Sequence, residues 1–341
     1  MRHPIHVLYG GAHLFRAGLG AKLAKIALAA LDHAPSELGA EEILERVRLK
    51  LQREPVEDYR IDFEDGYGVR SDQEEDATAK STGKQLAEAL AAKDALPPFL
   101  GIRVKRAADR GSRTLNLFLE SAGALPEKFV VTLPKVETPG EVEDFRRAFP
   151  SIDIELMIET PQALNAIEQL LDAAEGALAA VHFGPYDFLS SCGVPGPSQS
   201  LSHALCDHAR LKLVTHLAPR SVRLSDGPTS FLPIGGSQEI SEARQLHRKH
   251  VLEALNCGIY QGWDLHPAQL PVRYAALYSY YREHLPAQRA RLLNYRASQA
   301  QATRIGATFD DAATVRGLEL FFERAHNCGA INDEEYGEIS H

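Results

Sequence analysis

The sequence predicts an α/β protein, specifically a (β/α)8 TIM barrel with a C-terminal helical extension. Three observations lead to this fold class: eight strand-like runs recur at roughly even intervals along the 341 residues, helical patterns fill the intervals, and most runs end in a charged or hydrogen-bonding residue. Alternating β and α units favour a parallel sheet, and eight such units close into a barrel. Active sites of these barrels lie at the carboxyl ends of the strands, so the polar residues there are the first functional candidates.

The predicted strands are short apolar runs. They cover residues 5–10, 59–65, 99–103, 128–136, 152–159, 178–184, 221–226 and 258–266. The polar residues at or just past their ends are Asp62, Glu64, Asp65, Arg103, Lys135, Glu159, Asp187, Asp226, Asp264 and His266. Closure of the barrel would bring these residues together although they are distant in sequence.

Helical patterns lie between the runs. They cover residues 23–31, 40–51, 74–92, 115–122, 139–148, 161–173, 201–216, 239–256 and 267–284. Thr138 and Thr160 each precede a proline, which is typical of an N-cap followed by the first helical position. Residues 190–200 and 226–236 predict long loops over the barrel mouth, because Gly, Pro and Ser are frequent there.

The pattern changes after residue 284 to a polar helical stretch at 288–302, a break at 305–311 and a helix at 314–327. We therefore expect a catalytic barrel domain at residues 1–285. Residues 286–341 would form a helical extension that acts as a lid or in oligomerisation.

Composition and charge restrict the classes of partner and compartment. The chain is 44% hydrophobic and 24% charged, which is typical of a soluble globular protein, and its net charge is -9. Nucleic acids and anionic membranes select basic surfaces, so neither is expected as a partner. No apolar run reaches the roughly 18 residues of a membrane span, and the four cysteines form no C-x-x-C pair. These features predict a cytoplasmic protein that acts on a small molecule.

Two carboxylates predict a metal site. Glu159 and Asp187 follow the fifth and sixth predicted strands, which are neighbours in a barrel. Carboxylate oxygens, with room for water and a substrate oxygen, suit Mg²⁺ or Mn²⁺. The alternative is that each carboxylate caps a helix or pairs with a surface lysine.

A second acidic group follows the second predicted strand. Alternation along a strand would send Asp62 and Glu64 to one face and Asp65 to the other. Clustered carboxylates raise one another's pKa, so the group could orient metal-bound water or transfer protons. A carboxylate-rich turn satisfied by backbone N–H groups explains the same residues equally well.

Two basic residues at strand ends each have a functional and a structural interpretation. Arg103 could bind a carboxylate bidentately or stabilise an enolate, or it could only form an ion pair with the Asp62 to Asp65 group. Lys135 could contact substrate or act as a Schiff-base nucleophile, although a salt bridge to Glu159 or Glu137 is favoured over the Schiff base. His182, Asp264 and His266 stay ambiguous, because a histidine before proline is often only a helix-start feature.

Six motifs now make the chain resemble the HpcH/HpaI aldolase and citrate lyase β-subunit superfamily. In order they are DFEDGYG at 62–68, IRV at 102–104, PKVE at 134–137, MIETP at 157–161, HFGPYDF at 182–188 and LHPAQ at 265–269. The resemblance implies a Mg²⁺-dependent TIM barrel that makes or breaks carbon–carbon bonds. Citryl-CoA, malyl-CoA and 2-keto-acid lyases are members.

The resemblance also implies roles for individual residues. Glu159 and Asp187 would be the metal ligands, Arg103 would face the substrate carbonyl or carboxylate, and Glu64 and Asp65 match an acidic pair near metal-bound water. The segment at 310–319 is similar to the lid of CoA-ester lyases, in which an aspartate reaches a neighbouring subunit. Asp311 aligns better with that aspartate than Asp310. Catalytic roles are thus expected for Arg103, Glu64, Asp65 and Asp311, and substrate contacts for Arg103, Lys135 and Asp62.

Three departures from the family pattern weaken the inference to an acyl-CoA ester. Lys105 stands where an asparagine is common, and Gly262-Trp263-Asp264 replaces the usual Gly-Lys before the histidine-proline pair. Ala312 and Ala313 follow the lid aspartate, where a proline is usual. The chain therefore resembles a divergent, citrate-lyase-β-like branch.

Together these features predict a Mg²⁺- or Mn²⁺-dependent carbon–carbon lyase acting on a 2-oxo or 2-hydroxy acid, or its CoA ester, through a stabilised enolate. Malyl-CoA-type condensation or thioester hydrolysis at the same site is the alternative enzyme activity. A non-catalytic protein that binds an organic acid or CoA ester is the alternative from another class. A homo-oligomer, a trimer or hexamer, is expected.

Overall fold

The computed structural model describes residues 2–93, 96–298, 303–305 and 308–340. Eight parallel strands form a closed barrel in sequence order, which confirms the predicted fold class. The strands are β1 (His6–Gly11), β2 (Asp58–Asp62), β3 (Phe99–Arg103), β4 (Phe129–Leu133), β5 (Asp153–Ile158), β6 (Leu178–Phe183), β7 (Arg223–Asp226) and β8 (Gln261–Asp264).

Helices fill the connections between strands and continue after β8. They are α1 (Leu19–Asp32), α2 (Glu41–Arg53), α3 (Asp72–Ala92), α4 (Ser112–Ala122), α5 (Pro139–Ala148), α6 (Pro161–Asn165), α7 (Ile167–Ala173), α8 (Pro185–Ser191), α9 (Ala204–Leu217), α10 (Ser237–Asn256), α11 (Leu270–Ala297), α12 (Ala312–Cys328) and α13 (Asp333–Ser340). A short antiparallel hairpin, β9 (Thr303–Ile305) and β10 (Thr308–Asp310), lies between α11 and α12.

Side chains alternate along each strand between two different environments. The outward residues of β2, β3 and β4, such as Ile61, Ile102 and Val131, are buried in the main core with the surrounding helices. This burial accounts for the apolar runs in the sequence, because each strand needs one face against a helix.

The barrel interior is polar at its centre. Arg60 donates to both carboxylate oxygens of Glu155, at 2.9 and 2.5 Å, and also pairs with Asp58. Thr132 donates to Glu155 at 2.8 Å, and His182 Nε2 lies 3.2 Å from the same carboxylate. All five side chains are buried, so their polar groups find their partners within the barrel.

Three of the predicted helical stretches differ from the structure. The predicted helix at 161–173 is divided into α6 and α7, because Ala166 (φ -89°, ψ 14°) departs from helical geometry. The stretches predicted at 267–284 and 288–302 are joined in α11, which continues through Pro286 to Ala297. Residues 299–302 lie outside the described residues.

The helices that follow α11 in the C-terminal extension pack against it. Phe322 and Leu292 are buried, and the Tyr281 and Phe321 rings lie 5.1 Å apart. The boundary predicted after residue 285 falls within α11, and the division into two domains stays a prediction. Within the described ranges, no helix is long and apolar enough to cross a membrane.

Candidate active site

Arg103, the last residue of β3, is the centre of an ion-pair cluster at the carboxyl ends of the strands. Its Nε and Nη2 donate to Asp62 Oδ1 and Oδ2 at 2.7 and 2.6 Å. Its Nη1 lies 2.8 Å from Glu64 Oε2 and 3.2 Å from Asp65 Oδ2. Arg103 is only 1% exposed. Burial lowers its pKa, but the charges and hydrogen bonds of Asp62 and the charge of Glu64 outweigh burial and raise it overall.

The predicted alternation of the three carboxylates is wrong. Arg103 reaches Asp62, Glu64 and Asp65, because β2 ends at Asp62 and the two following acidic residues lie in a turn. Strand alternation does not apply beyond Asp62.

Asp62 has all of its hydrogen-bonding capacity engaged. Besides the two bonds from Arg103, it accepts from the backbone N–H of Glu64 at 2.9 Å and of Gly66 at 2.8 Å. A Cβ atom at position 66 would lie 2.6 Å from Asp62 Oδ2, so the turn needs glycine. The substrate contact expected for Asp62 stays a prediction, and its partners within the chain are those of a residue that orients Arg103.

Two aromatic rings support Arg103 from inside the barrel. The Tyr9 and Trp263 ring centroids lie 4.9 and 5.2 Å from the guanidinium carbon, and the rings are 4.2 Å apart. With Val7 and Met157 they form a small apolar cluster. Tyr9 was not among the sequence candidates, and Trp263 was noted only as a departure from the family pattern. The alternation of side chains along β1 and β8, which directs both rings into the barrel, was the one feature of the sequence that could have predicted them.

Glu159 follows β5 and is 2% exposed. Its Oε1 accepts the backbone N–H of Lys135 at 2.5 Å. Burial, followed by the charges of Glu64 and Asp187, raises the pKa of Glu159 to about 8. A Cβ atom at Gly184 would lie 2.7 Å from Glu159 Oε2, so the glycine of the HFG segment makes room for this carboxylate.

Lys135 joins the remaining acidic residues. Its Nζ donates to Glu64 Oε1 at 2.8 Å and lies 3.9 Å from Asp187 Oδ2. The predicted salt bridge to Glu159 or Glu137 is therefore wrong for the ammonium group, since the contact with Glu159 is made by the backbone. Lys135 has φ 52°, an uncommon value for a residue with a side chain. Burial lowers its pKa, but Glu64 and Asp187 outweigh burial and raise it, which opposes a Schiff-base role.

Asp187 lies in the first turn of α8, just past β6, and its side chain is 49% exposed. Glu159 and Asp187 supply the hard oxygen donors that Mg²⁺ and Mn²⁺ prefer. The high pKa of Glu159 has burial as its largest cause and the negative charges of Glu64 and Asp187 as the next, and a bound cation would favour the ionised carboxylate. These two residues therefore fit a divalent cation, although the described residues contain no group of three or more His, Cys, Asp or Glu able to hold one.

The other strand-end candidates have structural partners away from this cluster. Asp226 pairs with Arg210, and Asp264 pairs with Arg273. His266 accepts the backbone N–H of Ala268 at 3.1 Å, so it is the helix-start feature that one interpretation expected.

Three further sequence candidates lie in the barrel interior or beyond it. His182 Nδ1 lies 3.1 Å from the Tyr9 hydroxyl in the barrel interior. Asp310 is buried and pairs with Arg291, whereas Asp311 is the N-cap of α12.

A cavity of about 670 Å³ lies at the opposite end of the barrel, with Arg2, Lys50 and Glu54 among its lining residues. Arg2 and Lys50 are both paired with Glu54 there. Since barrel enzymes place their chemistry at the carboxyl ends of the strands, we assign the site to the Arg103 and Glu159 region.

The family model described as a domain of unknown function, DUF6986, matches residues 1–340. The chain belongs to the DUF6986 family. None of the curated proteins compared with this DUF6986 chain matches it.

Solved structures share the fold of this DUF6986 protein at low sequence identity. A citrate lyase from Burkholderia xenovorans LB400 is 21% identical with a TM-score of 0.67, covering 99% of this chain and 97% of that chain. CitE from Mycobacterium tuberculosis, in complex with magnesium, acetoacetate and coenzyme A, is 17% identical with a TM-score of 0.61, covering 95% and 98%.

The citrate lyase beta subunit from M. tuberculosis, complexed with oxaloacetate and magnesium, is 16% identical with a TM-score of 0.52, covering 81% and 96%. At these identities the likeness shows that the DUF6986 chain shares their fold.

Proposed function

We propose that this protein is a carbon–carbon lyase that uses Mg²⁺ or Mn²⁺ and acts on a 2-oxo or 2-hydroxy acid or its CoA ester. The observation that carries the proposal is the arrangement at the strand ends. The buried carboxyl of Glu159, the exposed carboxylate of Asp187 and the guanidinium of Arg103 surround the same acidic corner. Solved barrels of the same fold contain magnesium with acetoacetate or oxaloacetate, which supports the choice of metal and ligand class.

Glu159 and Asp187 would hold the metal ion, and water and substrate oxygens would complete its coordination. The bound ion would act as a Lewis acid that polarises the carboxylate and the adjacent oxygen of the acid. Arg103 is oriented by Asp62, which binds Nε and Nη2, so Nη1, which pairs with Glu64, would be the nitrogen that meets the substrate.

Cleavage of the carbon–carbon bond would leave its electron pair on the acid fragment as an enolate, while the other fragment departs as a carbonyl compound. Arg103 Nη1 would stabilise the developing negative charge. The proton of the substrate hydroxyl would pass to water or to a carboxylate of the turn, for which Glu64, largely buried beside Lys135, is our candidate. Protonation of the enolate carbon would complete the reaction.

The test is a turnover and binding screen with Mg²⁺ and glyoxylate, pyruvate, oxaloacetate and a set of CoA esters, read by mass spectrometry. We expect cleavage or condensation of at least one acid in the native protein and its loss in Glu159→Gln. Glu175→Gln is the matched control, since Glu175 is an exposed glutamate outside the site. Binding of an acid without any turnover, unchanged by Glu159→Gln, would contradict the proposal and favour the non-catalytic alternative.

A further inference from the structure

Lys135 contacts each of the three carboxyl groups in the acidic corner. Its ammonium is 2.8 Å from Glu64 Oε1 and 3.9 Å from Asp187 Oδ2, and its backbone N–H is 2.5 Å from Glu159 Oε1. The side chain therefore places a positive charge beside Glu64 and Asp187, while the backbone of the same residue binds Glu159.

The two cations of this corner differ in freedom. Arg103 is 1% exposed and is fixed by two hydrogen bonds to Asp62, so its charge stays in place. The Lys135 side chain is 37% exposed and ends in a flexible four-carbon stem, so its ammonium has a path outward to the mouth. Of the two, only Lys135 has room to leave the carboxylates.

An ammonium and a divalent ion that balance the same carboxylates compete with each other. Each stabilises the negative charge of Asp187 and Glu64, and a second cation at the same place adds repulsion. A carboxylate-bearing ligand at the mouth would then be the next partner available to a displaced ammonium.

We infer that Lys135 is the resident counter-cation of the metal site, and that a divalent ion displaces its ammonium toward the mouth, where it binds the carboxylate of the incoming acid. This inference rests on the proposed function, because it takes Glu159 and Asp187 as the metal ligands. Lys135 is then a substrate-binding residue that couples two binding events. Metal loading strengthens acid binding and, by thermodynamic reciprocity, acid strengthens metal binding.

The first test is calorimetric titration of Mg²⁺ into the native protein, Lys135→Met and Lys128→Met. Methionine keeps the length of the side chain and the strained backbone while removing the charge. Lys128 is the matched control, because it is exposed and precedes β4 whereas Lys135 follows it. We expect Lys135→Met to bind Mg²⁺ about tenfold more tightly, a difference of about 1.4 kcal/mol. Lys128→Met should bind as the native protein does.

The second test repeats the Mg²⁺ titrations with saturating pyruvate. Pyruvate should tighten Mg²⁺ binding in the native protein and in Lys128→Met, and this gain should disappear in Lys135→Met. Lys135→Gln, which is also uncharged, serves as a second variant, and thermal melting verifies that each variant is folded.

The outcomes separate the inference from the function beneath it. Equal or weaker Mg²⁺ binding in Lys135→Met overturns the counter-cation role, while loss of Mg²⁺ binding in Glu159→Gln would leave the proposed function standing. Absence of Mg²⁺ binding in both the native protein and Lys135→Met overturns the two together.

Discussion

The nitrogens of the Arg103 guanidinium have two different roles, one structural and one proposed for the chemistry. Nε and Nη2 are fixed by the two oxygens of Asp62, and Nη1 lies toward Glu64 and Asp65. The rings of Tyr9 and Trp263 limit the movement of the group from the other side. A ligand would therefore meet this rigidly held cation at Nη1, where it would share the nitrogen with Glu64 and Asp65.

Replacing Arg103 by lysine should lower turnover far more than it lowers metal affinity. Lysine keeps a positive charge but loses the planar fork that binds Asp62 through two nitrogens. Without the fork, the contact that Nη1 would make with the developing negative charge is also lost. Loss of one transition-state contact typically costs about 3 kcal/mol, or about a hundredfold in rate. Steady-state kinetics and Mg²⁺ calorimetry on the same preparation measure both effects. Near-native turnover in Arg103→Lys would show that the residue is only structural.

Replacing Glu159 by glutamine should stabilise the metal-free protein at high pH. The pKa of Glu159 is raised to about 8 from an ordinary 4.5, so the folded chain keeps a proton that the unfolded chain releases between these pH values. Its free energy of unfolding therefore falls as pH rises through this window. Glutamine stays neutral, and the gain above pH 8 should be a few kcal/mol, since one pKa unit equals about 1.4 kcal/mol.

Thermal melts of native protein, Glu159→Gln and Glu175→Gln in EDTA, taken from pH 4.5 to 8.5, measure this difference. The native and Glu159→Gln curves should converge near pH 4.5 and separate above it. Curves that stay parallel would show that Glu159 ionises without cost in the folded chain.

At the scale of single residues, the sequence was sufficient to place Arg103, Glu159 and Asp187 at strand ends, because side chains follow strands in a regular order. It could not predict that Lys135 turns its ammonium to Glu64. That contact depends on a positive φ after β4 and on the stagger between β2 and β4 in the closed barrel.

The segment between β7 and α10 is anchored by a hydroxyl shared between two histidines. Thr229 Oγ1 lies 2.9 Å from both His247 Nδ1 and His250 Nδ1, and the Thr229 carbonyl accepts from Gln269 at 2.9 Å. A hydroxyl has one proton to donate, so one imidazole must accept from it and the other must donate to it. The arrangement requires His247 or His250 to be neutral.

Acid should therefore weaken this anchor. Burial lowers the pKa of His250 to about 4 and lowers that of His247 as well. Between pH 6.5 and 4 the unfolded chain binds more protons than the folded chain, so the free energy of unfolding decreases as pH falls through this range. His250→Asn should show a smaller decrease, because an amide N–H can replace Nδ1–H without titrating.

Thermal melts of the native protein and His250→Asn across pH 7 to 4 provide the comparison. His208→Asn, on the exposed face of α9, is the control for an ordinary histidine. Identical pH slopes in the native protein and His250→Asn would exclude His250 as the titrating group.

The presence of the strands and helices was predicted better than the residues at which they begin and end. All eight strands are present, because a strand buried against helices leaves an apolar run in the sequence. The continuity of α11 was missed. Pro286 and a polar composition interrupt the pattern there, and the helix continues because Leu292 and Tyr295 are buried in the folded chain, which is a tertiary effect.

For the whole molecule, we propose that the chain forms a homo-oligomer in which the segment at Asp311 closes over a neighbouring barrel. Within its own chain, Asp311 accepts the backbone N–H groups of Ala313 and Thr314 at 3.0 Å, so it begins α12. A structural cap and a catalytic carboxylate in a partner's site are separable roles, because serine also caps helices.

Asp311→Ser should keep thermal stability and lose activity if the carboxylate acts in a neighbouring site. Asp311→Ala should lose activity and, in addition, about 1 kcal/mol of stability through loss of the cap. Kinetics and thermal melts distinguish the two effects, and native mass spectrometry reports the oligomeric state. Full activity of Asp311→Ser, or a fully active monomer, would refute the lid role.

The charged centre of the barrel has a consequence for how this sequence can drift over generations. Arg60, Asp58 and Glu155 are buried together, and removing one member of a buried ion pair costs about 3–5 kcal/mol. The free energy of unfolding of a folded protein is only about 5–15 kcal/mol in total. Arg60 could therefore be replaced only together with its acidic partners. Substitutions at Arg60 and Glu155, which are 95 positions apart in the sequence, are thus expected to occur together.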